Sequence, residues 1–125
     1  MAYKASLYTP LVAVVRKEDG AVVCERCVIA DSIWLRTKGL LGRASLPDGE
    51  GILLKPGSSI HMFFMRFPID AVFVDRELRV LRVKAKLAPW RMASKRGAKA
   101  VLELPAGSCE QRGVVEGDQL VLDED

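Results

Sequence analysis

Between His61 and Asp75 the chain reads HMFFMRFPIDAVFVD, an apolar and aromatic run that carries His61, Arg66 and Asp70 and is closed by Asp75. Runs of this kind build cores, and a polar group inside a core must find a hydrogen-bonding partner or change its ionisation. His61, Arg66 and Asp70 are therefore either a structural hydrogen-bonding set or the floor of a site. Phe67-Pro68 breaks the run, and Ile69 to Val74 resumes it as a strand.

The remaining segments are mostly short, β-branched and bounded by turn residues, which favours strands over helices. Leu11 to Val15 and Ala21 to Val23 flank Lys17-Glu18-Asp19-Gly20, where Asp-Gly signals a hairpin. Arg26 to Ala30 reads as a further strand. Asp31-Ser32 then offers an N-cap to one helix over Ile33 to Leu41, with Gly42 as its stop. Strands follow at Gly51 to Lys55 and Ser59 to Met65. In the strand that begins at Leu78, Leu81, Val83, Ala85 and Leu87 alternate with Arg82, Lys84 and Lys86, which predicts one buried and one basic face. Pro89-Trp90 ends that strand, and Arg91 to Gly97 reads as a loop. Ala98 to Leu104 and Gln119 to Leu122 complete the set. The pattern predicts a mainly β (α+β) domain: a small, mostly antiparallel β-barrel with one short helix.

A chain of 125 residues, half of them apolar, makes a single globular domain over residues 1–125. At that length folding buries roughly two-thirds of the unfolded surface, so stability requires neither a metal nor a disulfide. The net charge is only +3, yet the charged residues from Leu78 to Val101 are all basic and the tail is acidic. The apolar stretch Leu11 to Val15 is too short for a signal peptide or a membrane span. With no such segment and an odd number of cysteines, the chain is expected to be cytoplasmic.

Six blocks stand in order: WLRTKGLLGR, GILL, IHMFFMRFPIDAVFVD, LAPWR, VLELPAG and VVEGDQL. Together they closely resemble the uncharacterised DUF192 family over about residues 28–122, with residues 1–24 outside the match. The resemblance implies a small β-rich domain of unknown biochemical function, found in bacteria and archaea; a bacterial source is expected here. It brings no established catalytic residues. Many relatives carry an export signal that this chain does not show.

Three constellations are candidates for chemistry. Cys24, Cys27, His61 and Cys109 make a Cys3His set on paper, but CERC reads as a strand, where residues three apart point to opposite faces. Buried free thiols are the expectation, with no metal and no cofactor. Met62 and Met65 beside His61 likewise read as core rather than as a soft copper site. His61 with Asp70 and Arg66 is the stronger idea. An imidazole held by a carboxylate is a usable base, and an arginine can bind a carboxylate or phosphate bidentately. The structural alternative is a buried Asp–Arg or Asp–His pair. Pro89-Trp90-Arg91, after a strand end, form the third set together with Arg43 at the helix end and Gly107.

The function expected is therefore the binding of a small, anionic ligand or a protein partner. The predicted site is His61, Arg66, Asp70, Trp90, Arg91 and Arg43. One rival is a hydrolase-like or transferase-like enzyme using His61 and Asp70. The other is binding of an anion or single-stranded nucleic acid through the basic segment 79–99. Nucleic acid is disfavoured, because such sites interleave aromatics with cations and only Trp90 serves here.

Overall fold

The computed structural model describes residues 11–30 and 45–123. Its strands are β1 (Leu11–Arg16), β2 (Val22–Ala30), β3 (Glu50–Leu54), β4 (Ser59–His61), β5 (Ile69–Val74), β6 (Val80–Leu87), β7 (Met92–Ser94), β8 (Ala100–Pro105) and β9 (Leu120–Asp123). One helix, α1 (Ser108–Arg112), follows β8. The predicted helix Ile33 to Leu41, and Arg43 with it, lies outside the described residues. The chain is mainly β, as predicted.

All strands except β4 and β7 form one sheet in the order β6-β5-β8-β3-β2-β1-β9, while β4 and β7 pair separately. Five of the sheet's contacts are antiparallel; β2 and β3 run parallel. A parallel pair cannot be closed by a tight hairpin; β2 ends at Ala30 and β3 begins at Glu50. The sheet curls until its outer strands touch, but they meet only at the bridge between Arg79 and Gln119. On either side, Val80 N–H donates to Asp118 C=O (2.8 Å) and Leu120 N–H to Leu78 C=O (3.1 Å). No ladder runs along β6 and β9, so the sheet is curled and open rather than the expected closed barrel. The reason is local: β9 is short, β6 is bulged, and the chain turns away before Leu78.

Alternation along the central strands separates two cores. Val72, Val74, Ala100, Leu102 and Leu104 point into the curl with Val14, Val23 and Leu120. Ile69, Ala71, Phe73 and Val101 face outwards, where Ile60 and Met62 help to cover them. Strand β5 is consequently buried at every position.

Bulges overturn two sequence expectations. In β2, Val12 pairs with Cys27 and Val14 with Cys24, so one extra residue sits in the CERC stretch. That extra residue restores the phase, and both thiols enter the inner core rather than opposite faces. In β6 the partners of β5 slip twice, Ile69 to Leu87 then Ala71 to Lys84, and Phe73 to Arg82 then Val74 to Val80. The predicted strict alternation therefore fails. Leu81 joins the outer core beside Phe73, Ala85 is exposed, and the Arg82 guanidinium stacks 5.9 Å from the Phe73 ring centroid.

Close packing of β2, β3 and β8 depends on Gly51. A Cβ there would lie 2.9 Å from Cys24 Sγ and 2.9 Å from the Glu103 carbonyl oxygen, whereas one at Gly57 would meet nothing within 4 Å. Gly51→Ala must push strands apart and should lower stability by about 1–3 kcal/mol. Gly57→Ala should be neutral or slightly stabilising. Denaturant midpoints of the two variants check this; equal midpoints would contradict the close approach at Gly51.

Candidate functional site

The predicted set His61, Arg66 and Asp70 does not converge. Asp70 is wholly buried, and its carboxylate is occupied by backbone. Oδ1 accepts from Lys86 N–H (2.8 Å) and Gly107 N–H (3.1 Å), and Oδ2 accepts from Cys109 N–H (2.8 Å). The Lys86 donor is freed by the bulge opposite Asp70, where Lys86 takes φ 52°. The other two donors open α1, whose N-cap is Gly107 at φ 93° with no side-chain cap of its own. Asp70 thus does from β5 what a capping side chain does locally. Burial first, and then the Asp70 charge, push the Cys109 thiol up to about 12. It stays protonated.

His61 ends β4 and is exposed, its Nδ1 accepting weakly from Phe63 N–H at 3.4 Å. The three cysteines lie across the sheet from it, in the inner core, as free thiols. Cys27 is raised by its hydrogen bond to Cys24 and by burial. Arg66 and Arg91 are both exposed.

What His61 and Trp90 do share is an aromatic surface. The His61 and Phe63 rings are 4.6 Å apart, those of Phe63 and Trp90 6.0 Å and stacked, and those of Phe64 and Trp90 4.8 Å and tilted. Phe64 is 71% exposed, Trp90 58% and neighbouring Met92 66%. Phe64 and Trp90 also both hold positive φ, 66° and 70°, in a region that bulky side chains rarely enter. Buried Met62 fastens the two loops together. Its carbonyl accepts from Trp90 N–H and its N–H donates to the Arg91 carbonyl, each at 2.7 Å. These two bonds tie together the backbones that carry Phe63, Phe64 and Trp90.

Sequence reasoning placed Trp90 and Arg91 at a binding loop but missed Phe63, Phe64 and Met92. An aromatic run carries no mark that distinguishes core from surface. Glu103 was missed as well, inside an apolar strand pattern. It is 5% exposed, pairs with Ile52 and Ala71 on the outer-core face, and burial alone pushes it up to about 8. Of the basic segment, Arg79 donates to the Gly117 carbonyl and Arg82 to the Ser94 carbonyl.

The chain matches a family model described as DUF192, "Uncharacterized ACR", over residues 14–122. The chain belongs to the DUF192 family. The match starts inside β1, earlier than the resemblance read from the sequence blocks. A UPF0127 protein of Thermococcus sibiricus is 32% identical over 111 residues, 85% of this chain and 71% of that protein. One from Pyrococcus abyssi is 36% identical over 98 residues, 74% of this chain and 81% of its own. These relatives are archaeal, so they do not support a bacterial source. Two crystal structures share the fold. A Novosphingobium aromaticivorans protein of unknown function has a TM-score of 0.76 at 24% identity, covering 97% of this chain and 98% of its own. A Sinorhizobium meliloti protein described as a candidate transcription regulator has 0.77 at 23%, covering 89% and 91%. No helix among the described residues is long and apolar enough to cross a membrane.

Asp70→Ala leaves three N–H groups without their acceptor and should cost about 3 kcal/mol or more. Asp75→Ala, which loses only turn bonds from Glu77 and Arg79 N–H, should cost about 1 kcal/mol. Chemical denaturation decides; equal midpoints would mean that the Asp70 bonds do not hold the fold.

Glu103 predicts a pH dependence. Its folded value, about 8, lies above the ordinary glutamate value of 4.5, so the folded chain holds the proton more tightly. Its contribution is complete below about 4.5 and is lost as pH rises through about 8. Glu103→Gln should flatten that decline when midpoints are compared from pH 5 to pH 9. An identical slope in the variant would show that Glu103 does not titrate in this window.

Proposed function

We propose that this DUF192 domain is a binding module whose recognition surface is the aromatic cluster of Phe63, Phe64 and Trp90. His61, Met92, Arg66 and Arg91 form its surroundings. The favoured occupant is a short protein segment offering an apolar side chain beside a carboxylate. One observation carries the reading: two bulky residues, Phe64 and Trp90, are held exposed and at positive φ against each other. Each such conformation costs about 1–3 kcal/mol, and burial of neither ring returns that energy in the isolated chain. Tryptophan and arginine are the residues most enriched among interface anchors, and contiguous exposed apolar groups mark interaction sites.

The alternatives have less support. Both Asp70 oxygens face backbone donors, which removes the base partner that the hydrolase-like or transferase-like reading gave His61. Arg79 and Arg82 are spent on carbonyls within the fold, which weakens the nucleic-acid reading of the 79–99 segment. Free thiols at all three cysteines suit a reducing, cytoplasmic setting.

Binding is tested by titrating labelled protein with hexapeptides that pair Leu or Phe with Asp or Glu, and with counterparts carrying Lys instead. The acidic peptides should move the amide signals of Phe63, Phe64 and Arg91 and the Trp90 indole N–H saturably, and the lysine peptides should not. Phe64→Gly and Trp90→Gly should abolish the response. Because glycine accepts positive φ without strain, both variants should keep or slightly raise the denaturation midpoint. Met62→Ala, by contrast, should lose about 2–5 kcal/mol. No saturable shift with any acidic peptide, or a fall in stability on relieving the strain, would overturn the proposal.

A further inference from the structure

At the opposite end of β5 from the aromatic cluster, a cleft of about 440 Å³ opens beside the point where the sheet's outer strands touch. Its size is within the ordinary range for small-molecule sites. Leu53, Leu78, Ala100 and Leu122 make an apolar floor, and Lys55, Arg76 and Lys99 stand over it. The cleft exists because β9 runs on past the Arg79–Gln119 bridge while the other edge turns back into β5. That turn is pinned by Asp75, whose Oδ1 accepts from Glu77 N–H and Arg79 N–H, each at 2.9 Å. Pinned in this way, Leu78 adopts φ 70° and joins the apolar floor, and Arg76 is placed at the rim. Behind the floor lies an apolar gap of only about 10 Å³, lined by Val74, Leu102 and Leu120 among others, so the cleft is backed by packed core.

The charge pattern is one-sided. Three exposed cations converge on an apolar surface, and the one acid lining the cleft, Asp75, is committed to its turn. Among the described residues no carboxylate lies within ion-pair distance of Lys55, Arg76 or Lys99. Like charges brought together without counter-charges favour an anion, and a charged hydrogen bond to a carboxylate is stronger than a neutral one. The floor, in turn, rewards an apolar chain and gives nothing to a fully hydrated ion.

We propose that this cleft binds a free, small amphipathic anion: a monocarboxylate with an unbranched apolar chain, its head among Lys55, Arg76 and Lys99 and its chain along Leu53, Leu78 and Leu122. The site is separate from the aromatic surface, and the proposal does not depend on that surface having a partner.

The test uses the whole chain, with octanoate as probe, followed by amide chemical shifts and calorimetry. Octanoate should shift the Arg76, Leu78, Lys99 and Leu122 amides saturably. 1-Octanol and acetate, which keep only the chain or only the head, should each bind at least about tenfold more weakly. The triple variant Lys55→Gln, Arg76→Gln, Lys99→Gln changes only exposed side chains. It should fold normally and weaken octanoate by a similar factor, and Leu122→Trp should block the cleft without touching the cations. Equal affinity for octanoate and octanol, or unchanged affinity in the triple variant, would overturn the proposal. So would binding to anionic phospholipid vesicles with no response to monomeric octanoate, which would assign the cations to a membrane surface.

Discussion

The carboxylate of Asp70 ties together three parts of the chain at their backbone N–H groups: strand β5, the bulge in β6 and the start of α1. It sits on the most buried strand, collects the N–H that the β6 bulge frees at Lys86, and caps the short helix that follows β8. Without it the buried N–H of Cys109 and the half-buried N–H groups of Lys86 and Gly107 would lose their acceptor. The bulge has a directional consequence. By absorbing an extra residue at Ala85-Lys86 it returns Leu87 to the outer core opposite Ile69, and the chain leaves the sheet there towards Pro89 and Trp90. The same contact that caps α1 therefore also sets where the Trp90 loop begins.

Much of the β framework was legible in the sequence. Ile69 to Val74 was readable to the residue, because a run apolar on both sides and fenced by Pro68 and Asp75 fits only a strand buried on both faces. The shielding of Asp70 was legible for the same reason, but its partners were not. Backbone N–H groups are present at nearly every residue, and only the folded path decides which of them point inwards. The CERC stretch failed differently: a bulge shifts phase by one residue and leaves no compositional trace. Helix α1 was missed because its cap comes from β5 rather than from a neighbouring residue.

The site was legible only in part. Trp90 and Arg91 follow a strand end, and loops there are ordinary places for recognition. The sequence did not reveal that Phe63 and Phe64 leave the strand expected over Ser59 to Met65 after His61 and turn outwards to meet Trp90. That turn needs positive φ at Phe64 and two hydrogen bonds to the backbone of Met62, neither of which has a residue signature. Arg43 lies outside the described residues.

Two buried carboxyl groups, on adjacent strands, show how differently such a fold can accommodate an acid. Asp70 points into a ring of N–H donors created by a bulge and a helix start, so burial there strengthens hydrogen bonds to the oxygens. Glu103 lies one strand away on regular ladder, where backbone donors are already paired between β3, β8 and β5. With no bulge to release a donor, the remaining way to lower the energy of a buried carboxyl is to keep its proton, and its raised value follows from burial alone. Irregularity in the sheet thus determines which acid is ringed by backbone donors and which is left to keep its proton. The same β5–β6 ladder, bulged at one end by Lys86 and at the other by Leu81, separates the strained aromatic surface from the cationic cleft.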